Sequence, residues 1–253
     1  MEKLCALLFE LANEDRLNIL FELKKTPLRL SRVAERFGLT VPETARNISR
    51  LSEAKLISKY GDGSYYLTSY GEASLQLLPG LDFLSKHKEY FKNHTLSRIP
   101  FEYGVNVGAL ADSEFLKEVT TTILEFENMV RRAQEFIWVL VDQILANSVV
   151  LIMEAVDRGA EFRKIMPRNA VIPGDTLKLC NDPLIERAGR AKKVESRYLD
   201  KIDLFILMSE KEAIIAFPNL EDQFDFFGFK SRKESAIKWA KSLFSYYWDI
   251  AKR

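Results

Sequence analysis

Arg46, Asn47 and Arg50 are the residues of this 253-residue chain best equipped to read another molecule. A guanidinium pairs bidentately with guanine O6 and N7, and an asparagine amide does the same with adenine N6 and N7. Three such groups within five residues, on a segment with helical spacing, point to base edges in a DNA major groove. Thr40 and Glu43 match a capping box, so a helix is expected to start there. Pro42 suits its first turn, where the missing N–H costs nothing. Ala45, Ile48 and Leu51 recur at three-residue steps and are expected to face a core. That leaves Thr44, Arg46, Asn47 and Arg50 on the outer face. The candidate DNA contacts on this segment are Thr40, Pro42, Thr44, Arg46, Asn47 and Arg50.

Several elements must hold that helix in place. Leu4, Leu7, Leu8 and Leu11 make an amphipathic first helix. Asn13 can cap a second over 14–25, with acidic residues at its start and Lys24-Lys25 at its end, as the helix dipole prefers. Ser31 is expected to cap a short helix through Phe37, and Gly38 to end it in a left-handed conformation. Helix, glycine turn, helix is the helix-turn-helix pattern. Lys55 to Tyr60 then reads as a strand, Gly61-Asp62-Gly63 as a tight turn, and Ser64 to Leu67 as the returning strand. This hairpin is a wing, with Lys59, Tyr60, Ser64 and Tyr65 placed to follow a phosphate backbone.

Overall charge is +1, which excludes wholesale polycation behaviour. Residues 24–59 nevertheless carry nine cations against three carboxylates, a local +6 that includes Arg32. Such a concentration is the footprint of a nucleic-acid-binding face. The 47% apolar content supports packed cores rather than disorder. Cys5 and Cys180 have no metal-type spacing and read as buried, reduced thiols of a cytoplasmic protein. A thiol switch is the minority alternative. No secretory signal is apparent, and polar residues interrupt the most apolar window, 136–156, so no membrane span is expected. His87 and His94 fall in a polar amphipathic stretch and read as solvated.

The segments Asn13 to Leu20, Leu51 to Ile57 and Tyr66 to Gly71 carry local patterns of a known kind. The first resembles the opening of ArsR-type repressors, and the last the Y-x-L-T-x-x-G that closes many wings. Residues 1–78 thus resemble the winged helix-turn-helix of bacterial and archaeal transcription regulators.

The second half alternates helix and strand. A helix is expected over 114–135, a doubly covered strand over 136–141, a helix over 145–158 and a strand over 161–166, giving an α/β domain with a parallel core. A helix over 181–191, strands over 194–199, 203–208 and 213–217, and an aromatic helix over 231–251 follow. Phe136-Ile137-Trp138, Arg158 to Arg163, Asp225 to Phe229 and especially Trp239 to Trp248 are similar to stretches of the archaeal Fil-type methanogenesis regulators. That resemblance implies a phospholipase-D-like, non-catalytic sensor domain over 113–253, joined by a connecting helix and linker over 79–112. The catalytic motif of that fold requires a His followed two residues later by Lys, and neither histidine supplies it. GxGxxG, Walker-type and HExxH patterns are absent too, so no enzyme, cofactor or metal is expected.

Asp142, Arg163 and Asp203 sit near expected strand ends, where open α/β sheets bind ligands. With Trp138, Arg187 and Tyr198 they form the candidate effector pocket. The fold class expected is therefore α+β multidomain, a winged helix followed by an α/β sensor. The function expected is a homodimeric, sequence-specific regulator of double-stranded DNA that responds to a small molecule or partner. The competing reading is a metabolite-binding protein or enzyme whose winged helix serves protein contacts.

Overall fold

The computed structural model describes residues 1–143, 146–170 and 193–253. The chain divides into two compact units, Met1–Pro79 and Gly80–Arg253. Cys180, Arg187 and the helix expected over 181–191 lie outside the described residues.

In the first unit, α1 (Glu2–Leu11) and α2 (Glu14–Leu23) are followed by a two-residue strand β1 (Leu28–Arg29), α3 (Leu30–Phe37) and α4 (Val41–Glu53). The hairpin β2 (Ile57–Lys59) and β3 (Ser64–Leu67) and helix α5 (Ser69–Gln76) complete it. Local chemistry sets most of the boundaries. Asn13 Oδ1 accepts the Arg16 N–H at 3.0 Å and caps α2. Thr40 and Glu43 form both halves of the capping box on α4. Gly38, at φ +64, closes α3 in the left-handed conformation. The Ser31 cap does not form: α3 starts two residues earlier, with Arg29 at its N-cap and no side-chain bond there. The reason is β1, which pairs Leu28 with Tyr65 and Arg29 with Ser64 and commits the chain to its turn before Ser31.

The three strands order as β1-β3-β2, so the wing is a small sheet rather than a lone hairpin. Ile19, Leu20, Val33, Ile48, Leu51, Leu56 and Leu75 are buried beneath it. Thr68 ties its end down. Its hydroxyl donates to the Lys55 carbonyl at 2.7 Å and accepts the Gly71 N–H at 3.0 Å, capping α5. A Cβ at residue 71 would lie 2.2 Å from the Leu56 carbonyl oxygen, so glycine alone fits this crossing. That contact explains the glycine three residues after the threonine in physical terms.

The second unit is built on a seven-stranded sheet ordered β4-β10-β9-β8-β5-β6-β7. Its strands are β4 (Glu114–Leu116), β5 (Phe136–Leu140), β6 (Glu161–Pro167), β7 (Val194–Leu199), β8 (Phe205–Ser209), β9 (Ala213–Ala216) and β10 (Gly228–Ser231). Among the described residues only β5, β6 and β7 run parallel; every other pairing is antiparallel. The expected parallel core is thus three strands of a seven-stranded mixed sheet. The helix expected over 114–135 is also revised. Glu114–Leu116 is an edge strand on β10, and the helix, α9, is confined to Val119–Arg132.

Helices cover both faces. On one side lie α6 (Leu78–Lys86), α7 (Lys88–Phe91), α8 (Phe101–Val105), a 3-10 turn at Val107–Leu110 and the long α11 (Glu234–Ile250). On the other lie α9 and α10 (Ala146–Arg158). The stretch 79–112, read from sequence as a connecting helix and linker, belongs from Gly80 onward to this unit. Phe83, Tyr90, Ile99, Val107 and Leu110 are buried in the same cluster as Trp239 and Phe244. Among the described residues no helix is long and apolar enough to cross a membrane.

Both histidines pack against aromatic rings of this cluster: His94 is buried, and His87 is partly covered. His87 packs on the rings of Phe83, Phe115 and Phe229. His94 stacks on Tyr90 at 3.7 Å, donates from Nδ1 to the Tyr90 carbonyl at 2.8 Å and faces Asp225 from Nε2 at 3.0 Å.

Candidate nucleic-acid interface

Helix α4 turns a different face outward from the one its composition suggests. Thr44 is fully buried and Asn47 is 7% exposed, whereas Ala45 is exposed. The buried stripe is Thr44, Asn47, Ile48 and Leu51, and the Thr44 hydroxyl is spent on the Thr40 carbonyl at 2.9 Å. Thr44 and Asn47 are therefore not free to read bases. The open face comprises Val41, Pro42, Ala45, Arg46 and Ser49, with Arg50 half-exposed at its edge. Ser49, absent from the sequence-based set, donates to Glu53 at 2.8 Å and stands one turn from Arg46.

The two arginines are not equivalent. Arg46 makes no hydrogen bond or ion pair among the described residues. Arg50 is clasped by Glu10 of α1 through both Nε, at 3.0 Å, and a short Nη2 contact, and it lies over the Phe9 ring at 5.2 Å. Each partner shifts the other. The hydrogen bond from Arg50 holds the Glu10 carboxyl below the usual range, and Glu10 raises the guanidinium further above its own. Arg16 joins this cluster with Nε 3.3 Å from Glu10.

The same accounting changes the basic footprint. Glu22, buried in α2, pairs with both Lys25 and Arg36 at 3.0 Å, and Arg32 pairs with Glu35 at 2.7 Å on the surface. Glu10 and Glu22 lie outside 24–59, so a count over that window misses them. Among the described residues, the cations of 24–59 left without an ion pair are Lys24, Arg29, Arg46, Lys55 and Lys59. A recess of about 270 Å³ between the start of α2 and α4 has Arg46, Asn47 and Arg50 on its wall, but also Asp15 and Glu43.

At the wing, Gly63 supplies the positive φ of the turn. Ser64 is buried, and both its N–H and its hydroxyl donate to Asp62, at 2.9 and 2.6 Å. These bonds keep the Asp62 carboxyl below its usual range and remove Ser64 as a phosphate donor. Tyr60 is half-exposed and stacks on Tyr66 with centroids 4.1 Å apart, and Lys59 lies 5.5 Å over the Tyr65 ring. Of the wing residues singled out from sequence, Lys59 and Tyr60 are the exposed ones, beside the exposed Asp62 carboxylate at the tip.

The α/β residues grouped from sequence as an effector pocket do not converge. Trp138 and Arg163 do meet, with the guanidinium 5.0 Å over the indole and both bonded to Glu161, but they are wedged between the sheet and Phe244 of α11. Tyr198 packs against the opposite sheet face. Asp203 accepts from the Tyr247 hydroxyl at 3.4 Å, and burial raises its carboxyl pKa. Burial raises that of Asp142 as well, whose Oδ1 has no hydrogen-bond partner. Cys5 is exposed on α1 and not buried, because only Leu11 of that helix is fully covered.

Comparison with protein-family models finds no match, and comparison with curated protein sequences finds none either. Among solved structures, TrmBL2, an archaeal chromatin protein described as showing a novel mode of DNA binding, aligns at 17% identity. The alignment covers 95% of this chain and 94% of that one, with a TM-score of 0.45. NucT from Helicobacter pylori aligns at 11% identity over 56% of this chain and 96% of its own, TM-score 0.40. Nuc, a phospholipase D family member from Salmonella typhimurium, does so at 8% identity over 56% and 95%, TM-score 0.41. These likenesses are distant and transfer no residue's role to this chain.

Proposed function

We propose that residues 1–79 bind double-stranded DNA as a winged helix-turn-helix, with α4 in the major groove, and that the chain is a sequence-specific transcription regulator acting as a homodimer. The observation that carries this is Arg46. It is an exposed guanidinium without an ion pair, set between the small side chains of Ala45 and Ser49 that let a helix approach base edges. Lys59 and Tyr60 of the wing are the backbone contacts. The ArsR-type and Fil-type character of the regulator belongs to the same proposal, supported by the sequence motifs.

Fluorescence anisotropy with duplex DNA tests it. Arg46→Ala is expected to weaken binding by about ten-fold or more, the loss of one guanidinium contact to a base. Unchanged affinity would overturn the placement of α4. Glu10→Gln probes Arg50 separately. It frees the guanidinium, so binding should tighten several-fold and the slope of log K against log salt should steepen by about one. No change in slope would mean that Arg50 is a structural residue of the α1–α4 junction.

The competing reading, a winged unit used for protein contacts, draws on α1, which leaves Leu4, Leu8 and Phe9 exposed. The same side chains suit a dimer of this chain. Mass in solution together with the anisotropy titration separates the two: a dimer that ignores duplex DNA favours protein contacts. We infer that the α/β unit is regulatory and not catalytic; the engagement of His87 and His94 in internal packing supports this.

A further inference from the structure

The described residues leave one sheet face incompletely filled. On the α9–α10 side of the second unit lies a cavity of about 250 Å³. Its walls are Phe126 of α9, Ile152 of α10, and Val139, Phe162, Phe205 and Leu207 from the central strands. The cavity is partly open to solvent, and its aromatic and aliphatic walls are apolar surface that an apolar occupant would remove from water. A void of roughly 150 Å³ with such walls takes up benzene, which scales this one to a two-ring molecule or a chain of about eight to ten carbons.

Of the polar residues on the wall, Thr122, Gln143, Ser148, Lys164 and Ser196, one has a buried side-chain atom left without a partner among the described residues. Ser148 of α10 is 2% exposed, lies on the cavity wall, and its hydroxyl has no hydrogen-bond partner. Buried hydroxyls are paired as a rule, because desolvation without a partner is costly. Thr122, also on the wall, shows the ordinary outcome: its hydroxyl donates to the Phe226 carbonyl at 2.7 Å. No carboxylate lines the cavity among the described residues, and Lys164, the one cation among them on the wall, has an interaction of its own.

We propose that this cavity is a ligand site for a small apolar molecule bearing one hydroxyl, with the apolar body against Val139, Ile152 and Leu207 and the hydroxyl paired with Ser148. The site is distinct from the Trp138–Arg163 cluster on the other sheet face. It gives the regulatory reading of this unit a chemical class of effector, and it is measured without DNA, so its failure and that of the DNA-binding reading are separable.

Calorimetric titration of the full chain with 2-naphthol, and with naphthalene as the partner lacking the hydroxyl, tests it. One molecule of 2-naphthol per chain is expected to bind, with a Kd on the order of tens of micromolar for about eleven heavy atoms. Ser148→Ala should weaken 2-naphthol about five-fold, the worth of one hydrogen bond, and leave naphthalene unchanged. Val139→Phe/Ile152→Phe, shown folded by its near-ultraviolet circular dichroism, should abolish both. If that pair does not fold, Leu207→Phe carries the same test. Failure of the parent chain to bind either compound overturns the proposal. So does binding that survives the filling substitutions, or an equal effect of Ser148→Ala on the two compounds.

Discussion

Adjacent residues of β5 meet opposite surroundings. Trp138 stacks on Phe244 at 5.1 Å, with Arg163 5.0 Å from its ring, whereas Val139 looks into the cavity between the sheet and helices α9 and α10. The same division runs along β8, where Ile206 belongs to the aromatic side and Leu207 lines the cavity. On the aromatic side Phe229 alone is within ring contact of Phe83, His87, Tyr90, Phe91, Phe115 and Phe217. Tyr90 sits at the middle of that side. Its hydroxyl donates to the carbonyls of Phe217 and Phe227 at 3.2 Å and accepts the Phe217 N–H at 3.0 Å, while burial raises its pKa and keeps the proton in place. One face of the sheet is therefore packed ring on ring, whereas the described residues of the other leave a cavity, the trade of stability for function that the proposed ligand site implies.

The largest effect expected from that contrast is at Phe229. Phe229→Ala removes a fully buried ring from six aromatic neighbours and should cost about 3–5 kcal/mol. Urea unfolding followed by tryptophan fluorescence reads it cleanly, since Trp138, Trp239 and Trp248 all lie in the second unit. A cost under about 1 kcal/mol would mean that the aromatic side is not the stabilising one.

A matched pair of deletions comes next. Ile206→Ala and Leu207→Ala remove the same number of carbons from neighbouring positions of one strand. The first opens a hole in a packed face and is expected to cost about 4 kcal/mol; the second enlarges an existing void where Leu207 already lacks neighbours, and about 2 kcal/mol is expected. Equal or reversed costs would erase the distinction between the faces.

How much of this was readable from sequence depended on the distance between interacting residues. The Thr40–Glu43 box, the Asn13 cap and the Gly38 turn each close within a few residues, and all three were legible. The facing of α4 was not, because Ala45-Ile48-Leu51 and Thr44-Ile48-Leu51 are both acceptable helical stripes and alanine looks the more apolar of the two alternatives. Only packing decides for Thr44. The clasp of Arg50 joins residues 40 positions apart, so a charge count over a window cannot find it. Edge strand Glu114–Leu116 pairs with Gly228–Ser231 at the far end of the chain. Both members look wrong alone: Glu114 continues a helical pattern, and Lys230 is polar yet buried through its ion pairs with Glu125 and Glu212. The cavity had no local signal at all, since a void is a property of what several strands and helices fail to fill.

The smallest effect expected is a pH dependence carried by the aromatic face. Burial among Phe83, Phe115 and Phe229 lowers the pKa of His87, Lys86 adds to the lowering, and Asp82 partly opposes it. An unfolded histidine titrates near 6.5, so below about pH 6.5 the unfolded chain binds a proton that the folded chain takes up less readily. The contribution of His87 is thus fully present above that pH and is lost as pH falls toward the lowered folded value. Asp142 and Asp203 act in the opposite direction. Their pKa values are raised by burial, so the stability cost they impose is absent in acid and appears as pH rises above the unfolded carboxylate range. The two signs are separated by difference. Comparing the urea midpoint at pH 7.5 and pH 5.5 in the parent chain and in His87→Phe should show a smaller acid loss in the variant, because the carboxyl contribution is common to both. An identical loss would show that His87 is hydrated enough to protonate in the folded state, and that the aromatic face is looser at α6 and α7 than its ring contacts indicate.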